Sequence, residues 1–219
     1  MPDGDVRAVF FDLDGTLADT APDLGGALNE LLVEVGRPAL EMAVLRPHVS
    51  AGTRGMLGVG FGLAPGDDAY PNLAERFLEL YALRLCADTR LFDGMATLLD
   101  ELEQRDIVWG VVTNKPARFT EPLMVGLRLS HRAAAIVSGD STPKPKPAPD
   151  SILLACETAG VPPRLTLYVG DDLRDIQAAH AAGMRAIAAA WGYLGDGVPI
   201  HDWNADATIA EPLDLLNIL

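Results

Sequence analysis

The sequence contains few cysteines, which limits the kinds of cross-link that could stabilise it. Only two occur, Cys86 and Cys156, far apart in the chain and in no Cys-x-x-Cys pattern. We therefore expect neither a disulfide framework nor a zinc site, and we expect both cysteines to be small buried apolar side chains. The four histidines likewise show no spacing typical of metal ligands.

Long hydrophobic runs are also missing. The longest apolar runs, such as residues 185–193, are too short to cross a bilayer. The first five residues, Met-Pro-Asp-Gly-Asp, are acidic and polar, which is not typical of a signal peptide. We therefore expect a cytoplasmic protein with no membrane partner.

Basic residues are in the minority, with 17 Lys and Arg against 31 Asp and Glu and a net charge of −14. We expect no nucleic-acid partner, because such binding draws most of its affinity from basic patches. An anionic substrate would need a bound cation to offset this charge locally. The 219 residues suffice for one domain or for a core that carries a smaller second domain. Whether the protein is a monomer or a homodimer stays open.

Short runs that are apolar on both faces predict the buried strands of a parallel sheet. These runs are residues 6–11, 107–113, 133–137, 165–169 and 185–190. Helical patterns lie between most of them, for example at residues 95–104, 148–159 and 172–182. Strands that alternate with helices predict a doubly wound, Rossmann-like α/β sheet of about five strands.

The interval between the first two predicted strands is too long for a simple crossover. A crossover unit needs about 30 residues, yet the first strand ends near Phe11 and the second begins near Ile107. The surplus contains apolar residues at helical spacing, at 22–35 and 73–85. We predict an all-helical cap domain, residues 17–90, inserted into a catalytic core made of residues 1–16 and 91–219.

Polar residues follow four of the predicted strands, where ligands bind in open α/β sheets. They are Asp12 and Asp14, Thr113 and Asn114, Lys144, and Asp171 with Asp175. Converging carboxylates repel one another unless a hard cation lies between them, and Mg²⁺ prefers such oxygen ligands. A carboxylate can also attack phosphorus and form an aspartyl-phosphate. The pattern therefore predicts a magnesium-dependent phosphoryl-transfer site.

The segment Asp12-Leu13-Asp14-Gly15-Thr16 resembles the first signature motif of the haloacid dehalogenase-like hydrolase superfamily. The remaining motifs follow in order, as Thr113-Asn114, Lys144-Pro145, and Val169-Gly170-Asp171 with Asp175. The insertion resembles the cap domain of the first cap class, so the resemblance covers essentially the whole chain. The motif ends resemble those of phosphoglycolate phosphatases. Residues 91–95 and 109–116 look more like bacterial N-acetylmuramate 6-phosphate phosphatases.

This resemblance implies a Mg²⁺-dependent phosphomonoesterase that acts on a small metabolite through an aspartyl-phosphate. Asp12 would be the nucleophile and a metal ligand. Asp14 would be the general acid and base, with its backbone carbonyl on the metal. Asp171 would complete the metal site, supported by Asp175, with Asp172 as the competing candidate for that supporting role.

The resemblance also implies how the phosphate is held. Thr113 and Lys144 would bind the phosphoryl group, and Asn114 would help through its backbone N–H. The neighbouring Lys146 is expected to lie in a solvated, proline-rich loop without a catalytic role. In the insertion, Arg54 could close over the crevice and contact a substrate carboxylate or sugar, or it could simply be exposed.

Several functions remain open from the sequence. A phosphoryl-transfer sugar-phosphate mutase and a pyrophosphatase of the same superfamily share the four motifs. A dehalogenase is disfavoured by Asp14, because halide displacement needs no proton donor there. The alternative from another class is a non-catalytic binding protein on the same scaffold. The sequence does not distinguish 2-phosphoglycolate from N-acetylmuramate 6-phosphate as the substrate. Both compounds carry a phosphate and a carboxylate.

Overall fold

A parallel sheet of six strands forms the centre of the computed structural model, which describes residues 6–195 and 197–219. The strands are β1 (Ala8–Phe11), β4 (Val108–Val112), β5 (Ala135–Val137), β6 (Thr166–Gly170), β7 (Arg185–Ala189) and β8 (Ala207–Ile209). Their order is β5-β4-β1-β6-β7-β8, and all neighbours are parallel. The predicted α/β fold is confirmed, with six strands rather than about five. The acidic N-terminus, residues 1–5, lies outside the described residues.

Helices cover both faces of this sheet. They are α5 (Met95–Gln104), α6 (Ala117–Gly126), α7 (Asp150–Ala159) and α8 (Leu173–Ala181). Side chains of successive strand residues point to opposite faces, so Phe10 and Phe11 of β1 belong to different hydrophobic clusters. Phe11 packs in a cluster with Leu99 of α5, and Phe10 packs in a second cluster with Ile176 of α8. The sheet is therefore doubly wound, and β1 is buried at its centre.

A helical insertion follows β1. It begins and ends at a two-stranded antiparallel ribbon made of β2 (Ala18–Asp19) and β3 (Arg90–Leu91). Between these strands lie α1 (Ala21–Glu34), α2 (Met42–Leu45), a 3₁₀ segment (Arg46–Ala51), α3 (Gly52–Phe61) and α4 (Tyr70–Arg84). We call residues 21–84 the helical insertion. Its hydrophobic cluster includes Leu28, Phe77 and Tyr81, and Phe119 and Tyr193 of the core also pack in this cluster.

The ribbon lies close to the limits predicted for the cap domain, and the division of the chain at residues 17–90 stays a prediction. The longest helix in the described ranges, α4, has 15 residues. No described helix combines the length and the hydrophobicity needed to cross a bilayer.

Tyr193 links the ribbon to the core. Its hydroxyl oxygen accepts the backbone N–H groups of Thr20 and Ala21, at 2.8 and 2.9 Å, and its O–H donates to Asp19 Oδ1 at 2.9 Å. Arg46 forms a bidentate ion pair with the same carboxylate. Burial and the nearby Asp19 charge hold the pKa of Tyr193 well above its usual range, so the phenol keeps its proton. These contacts hold the insertion over the carboxyl ends of the strands.

Candidate active site

Three adjacent strands end at the same edge of the sheet, and a polar residue follows each of them. Asp12 follows β1, Thr113 follows β4 and Asp171 follows β6. β1 pairs in register with both neighbours, so the three strand ends lie level. All three residues are buried, and Asp12 is 8% exposed. The convergence predicted from the sequence is present.

Three buried carboxylates, those of Asp12, Asp171 and Asp175, form a cluster at this edge. One oxygen from each lies within 4.8 Å of the others. Burial, followed by the Asp12 charge, raises the pKa of Asp171 to about 7, and burial also raises the pKa of Asp175. The Asp171 carboxylate accepts the Thr16 hydroxyl at 2.8 Å and the Tyr193 N–H at 2.9 Å. A hard cation would relieve the repulsion among these oxygens, so the donor set fits a metal ion.

The two other aspartates of these segments are not part of this cluster and pair with cations instead. Asp14 pairs through Oδ1 with Lys115 Nζ at 2.8 Å and lines the cavity. Asp172 caps the start of α8 by accepting the Arg174 N–H at 2.9 Å, and it pairs with the Arg174 guanidinium at 2.7 Å. Of the two residues considered for metal support, the structure brings Asp175 to the cluster and turns Asp172 towards Arg174.

The lysine in the crevice is Lys146, which corrects the assignment to Lys144. Lys146 Nζ lies 2.9 Å from Asp12 Oδ1 and 2.6 Å from Asp175 Oδ1. Burial opposes the charge of Lys146, but the two carboxylates outweigh it and hold its pKa above the usual range. Lys144 is exposed and does not line the cavity. Both lysines precede a proline in the same loop, so the local pattern could not distinguish them.

Asn114 holds the backbone of Lys146. Its Nδ2 donates to the Lys146 carbonyl at 2.9 Å, and its Oδ1 accepts the Lys146 N–H at 2.9 Å. An amide side chain offers one donor and one acceptor group that match those of a peptide unit. The expectation for Asn114 concerned its backbone N–H, and the sequence carried no signal for this side-chain role. Thr113 lines the cavity, and its hydroxyl accepts the Lys115 N–H at 3.2 Å.

Ser50 is the residue of the insertion that contacts the carboxylate cluster. The Ser50 hydroxyl donates to Asp171 Oδ2 at 3.1 Å, and Arg174 donates to the Ser50 carbonyl at 2.9 Å. Arg54, on α3, is exposed and does not line the cavity, which is the second of the two possibilities that the sequence left open for it. Three other residues of the same segment, Ala51, Gly52 and Thr53, do line it.

A cavity of about 340 Å³ lies between the strand ends and the insertion. Its lower wall is polar and includes Asp12, Thr113 and Lys146. The insertion supplies an apolar wall formed by Leu24, Val49, Phe77, Leu78 and Tyr81. Three further cations also line the cavity: Lys115, Arg118 and Arg174. In a protein of net charge −14, these cations make the cavity suitable for an anion with an apolar or ring-shaped part.

Comparison with known proteins agrees with this geometry. The family model described as haloacid dehalogenase-like hydrolase matches residues 9–189. An N-acetylmuramic acid 6-phosphate phosphatase from Pseudomonas putida is 41% identical over 214 residues, covering 98% of this chain and 96% of that protein. A phosphoglycolate phosphatase from Xanthomonas campestris is 44% identical over 210 residues, covering 95% of this chain and 94% of that protein.

A solved structure supports the same relationship. The crystal structure described as a predicted phosphoglycolate phosphatase from Haemophilus somnus superposes with a TM-score of 0.85 at 27% identity, covering 97% of each chain. The resemblance seen in the sequence motifs is thus confirmed. Because the family model spans most of its length and its relatives align almost end to end, the chain belongs to the haloacid dehalogenase-like hydrolases.

Proposed function

We propose that this protein is a phosphatase that hydrolyses a small phosphomonoester through an aspartyl-phosphate on Asp12. One observation carries the proposal. The Asp12 carboxylate lies at the open end of β1, faces the cavity and is paired with the buried ammonium of Lys146 at 2.9 Å. A carboxylate fixed in this way can attack phosphorus, and the ammonium can stabilise the charge of the transferring group.

The reaction would proceed in two halves. In the first, an Asp12 oxygen bonds to phosphorus while the bond to the leaving oxygen breaks, and that oxygen takes a proton from Asp14. In the second, Asp14, now a carboxylate, takes a proton from water, and the water oxygen attacks phosphorus. The bond between phosphorus and Asp12 breaks, which releases inorganic phosphate and restores the carboxylate. Lys115 Nζ, 2.8 Å from Asp14 Oδ1, would hold the Asp14 side chain in position for both halves.

Lys146 and Thr113 would hold the equatorial oxygens of the transferring group, where negative charge accumulates. Both line the cavity beside Asp12. Asn114 would contribute by holding the Lys146 backbone in place through its two hydrogen bonds. This arrangement replaces Lys144 by Lys146 in the role inferred from the sequence.

We propose that the metal is Mg²⁺, held by Asp12, Asp171 and Asp175, whose oxygens lie together at the strand ends. The family resemblance adds the Asp14 backbone carbonyl as a further ligand. When bound, the ion would neutralise negative charge on the phosphate oxygens. The hydrogen bonds from Thr16 and Tyr193 would keep the Asp171 carboxylate oriented towards it.

Of the two substrates considered, the cavity favours N-acetylmuramate 6-phosphate over 2-phosphoglycolate. Its volume of about 340 Å³ lies within the range of about 300–1,000 Å³ found for pockets that enclose drug-sized ligands. A two-carbon acid phosphate would leave much of this space unfilled, including the apolar wall of Phe77 and Leu78. An amino-sugar phosphate could contact that wall with its ring.

A kinetic screen tests the proposed function. We expect kcat/KM to be highest for N-acetylmuramate 6-phosphate, then 2-phosphoglycolate, and lower for pyrophosphate and hexose phosphates. Free phosphate should be the product, and an isomeric sugar phosphate would indicate a mutase instead. Excess EDTA should abolish turnover, and Mg²⁺ should raise the melting temperature. Turnover that persists in EDTA would contradict the metal assignment.

We further propose that the protein acts in the cytoplasm on small molecules, without a nucleic-acid or membrane partner. The net charge of −14 supports the first exclusion, because nucleic-acid binding relies on basic surfaces. Both cysteines are free, which suits a reducing compartment. Monomer and homodimer both remain compatible with this proposal.

A further inference from the structure

The hydroxyl of Tyr81 is a buried polar group whose O–H has no acceptor among the residues that the structure describes. Tyr81 lies on α4 of the helical insertion, is 1% exposed and lines the cavity. Burial raises the pKa of Tyr81 to about 12, so the group stays a neutral O–H. Buried hydroxyls are almost always paired, because an unpaired one loses its hydrogen bonds to water without compensation. A ligand in the cavity could supply the missing acceptor.

Lys115 places an ammonium beside this ring. Lys115 Nζ lies 4.8 Å from the centroid of the Tyr81 ring and 2.8 Å from Asp14 Oδ1, and its side chain is 7% exposed. Burial opposes its charge, but Asp14 and Tyr81 outweigh that effect and raise its pKa, so the group remains a cation. An ammonium has three donor hydrogens, and the ion pair with Asp14 leaves capacity for another acceptor. Lys115 belongs to the core and Tyr81 to the insertion, so the pair bridges the two parts.

Packing, rather than its hydroxyl, holds the Tyr81 ring in place. The ring lies 5.2 Å from that of Phe119 in a tilted arrangement and belongs to the hydrophobic cluster of the insertion. Such aromatic contacts do not involve the hydroxyl group. The oxygen is therefore carried on a rigid support, and its loss should leave the ring where it is.

We propose that the Tyr81 hydroxyl and the Lys115 ammonium together bind a carboxylate on the organic part of the substrate. The inference rests on the proposed function, because it assumes that the phosphoryl group lies between Asp12 and Lys146. Both groups are donors and one is a cation, so an anionic acceptor satisfies them together. Lys115 would then be shared between Asp14 and the substrate. The pair would select phosphomonoesters that carry a carboxylate over those of the same shape that lack it.

The test compares substrates with and without this carboxylate. N-acetylmuramate 6-phosphate is compared with N-acetylglucosamine 6-phosphate, which lacks the lactyl group and its carboxylate. The second pair is 2-phosphoglycolate and ethyl phosphate, in which a methyl group replaces the carboxylate. For each pair, the ratio of kcat/KM for the carboxylated ester to kcat/KM for the carboxylate-free ester measures selectivity. In Tyr81→Phe this ratio should fall by about 10-fold or more, mainly through KM, because a hydrogen bond to a charged group is lost.

Two further variants complete the design. Lys115→Met should lower the same ratio by at least as much, because it removes the cation. It should also change kcat for both esters, because Lys115 contacts Asp14. The matched control is Ser151→Ala. Ser151 on α7 is another buried hydroxyl without a partner among the described residues, but it does not line the cavity. Its loss should leave the ratio unchanged.

The outcomes separate this inference from the proposed function. If the wild-type protein hydrolyses neither carboxylated ester, the proposed function fails and this inference fails with it. If the wild type is active and Tyr81→Phe, folded with a normal melting temperature, keeps the wild-type ratio, only the inference is overturned. An equal loss of kcat/KM for the carboxylated and the carboxylate-free ester would overturn the assignment to a carboxylate.

Discussion

The parallel sheet and the helical insertion contribute to the cavity in different ways. The sheet contributes Asp12, Thr113 and Asp171, each directly after a strand, and the pairing of β1 with both neighbours aligns them. The insertion contributes Ser50 from a 3₁₀ segment and Tyr81 from the last turn of α4. The positions of the residues that follow the strands are set by the register of the strand backbones. The positions of Ser50 and Tyr81 are set by the packing of the insertion. This difference suggests that the sheet carries the chemistry and that the insertion recognises the organic part of the substrate.

The two regions also differ in how polar side chains are satisfied. At the sheet edge three carboxylates are crowded together. Lys146 compensates those of Asp12 and Asp175, and Asp171 accepts hydrogen bonds instead. On the insertion side of the cavity the Tyr81 O–H has no acceptor within the described ranges. Three experiments test this division, beginning with the largest expected effect.

The largest effect should come from Asp12→Asn. An amide at this position cannot form the aspartyl-phosphate, so kcat should fall by about 10⁴-fold or more. Steady-state release of phosphate measures the change, and circular dichroism should show an intact fold. Asp100→Asn makes the same chemical change at an exposed site on α5 and should keep full activity. Activity within tenfold of the wild type in Asp12→Asn would refute the nucleophile assignment.

The two lysines of the proline-rich loop allow a matched comparison within the core. Lys146→Met should lower kcat/KM by about 10²–10³-fold, because a donor to the transferring group is lost. Lys144→Met removes the same charge from the exposed neighbour and should change kcat/KM by less than about twofold, as is usual for an exposed charge outside the site. A larger loss of kcat/KM in Lys144→Met than in Lys146→Met would support Lys144, the lysine assigned from the sequence.

The smallest effect compares one asparagine from each region. Asn114 holds the Lys146 backbone, and Asn29 of α1 holds the Leu40 backbone with the same two bonds, at 2.9 and 2.8 Å. Either change to Ala should lower the free energy of unfolding by about 1–3 kcal/mol, measured by urea denaturation. Only Asn114→Ala should also lower kcat, by about 10-fold, because it loosens the support of Lys146. Equal activities in the two variants would show that Asn114 has a structural role alone.

Much of the fold could be predicted because it depends on local patterns. Each of the five predicted strands is present within two residues of its expected limits. The sixth strand, β8, was missed because it has three residues, and its central Thr208 is exposed at the edge of the sheet. The ribbon strands β2 and β3 have two residues each, too few for a periodic pattern.

Only part of the candidate site could be predicted from the sequence. Asp12, Thr113 and Asp171 lie where the sequence placed them, because a residue that directly follows a buried parallel strand must emerge at the carboxyl edge of the sheet. Lys144 was misplaced, because it lies in a loop away from the strand end, where local sequence does not fix which side chain enters the crevice. Lys146 from the same loop enters it instead. For Arg54 the exposed alternative holds, and the contact of Ser50 with Asp171 was not predicted.

The sequence by itself determined the order of the strands along the chain, the family and the carboxylates at the strand ends. These follow from patterns within a few residues and from a backbone geometry that all parallel sheets share. Only the tertiary structure decided which lysine enters the crevice and which insertion side chains face it. Those choices depend on contacts between residues far apart in the chain, such as Asn114 with Lys146 and Tyr81 with Phe119. No local pattern encodes such contacts.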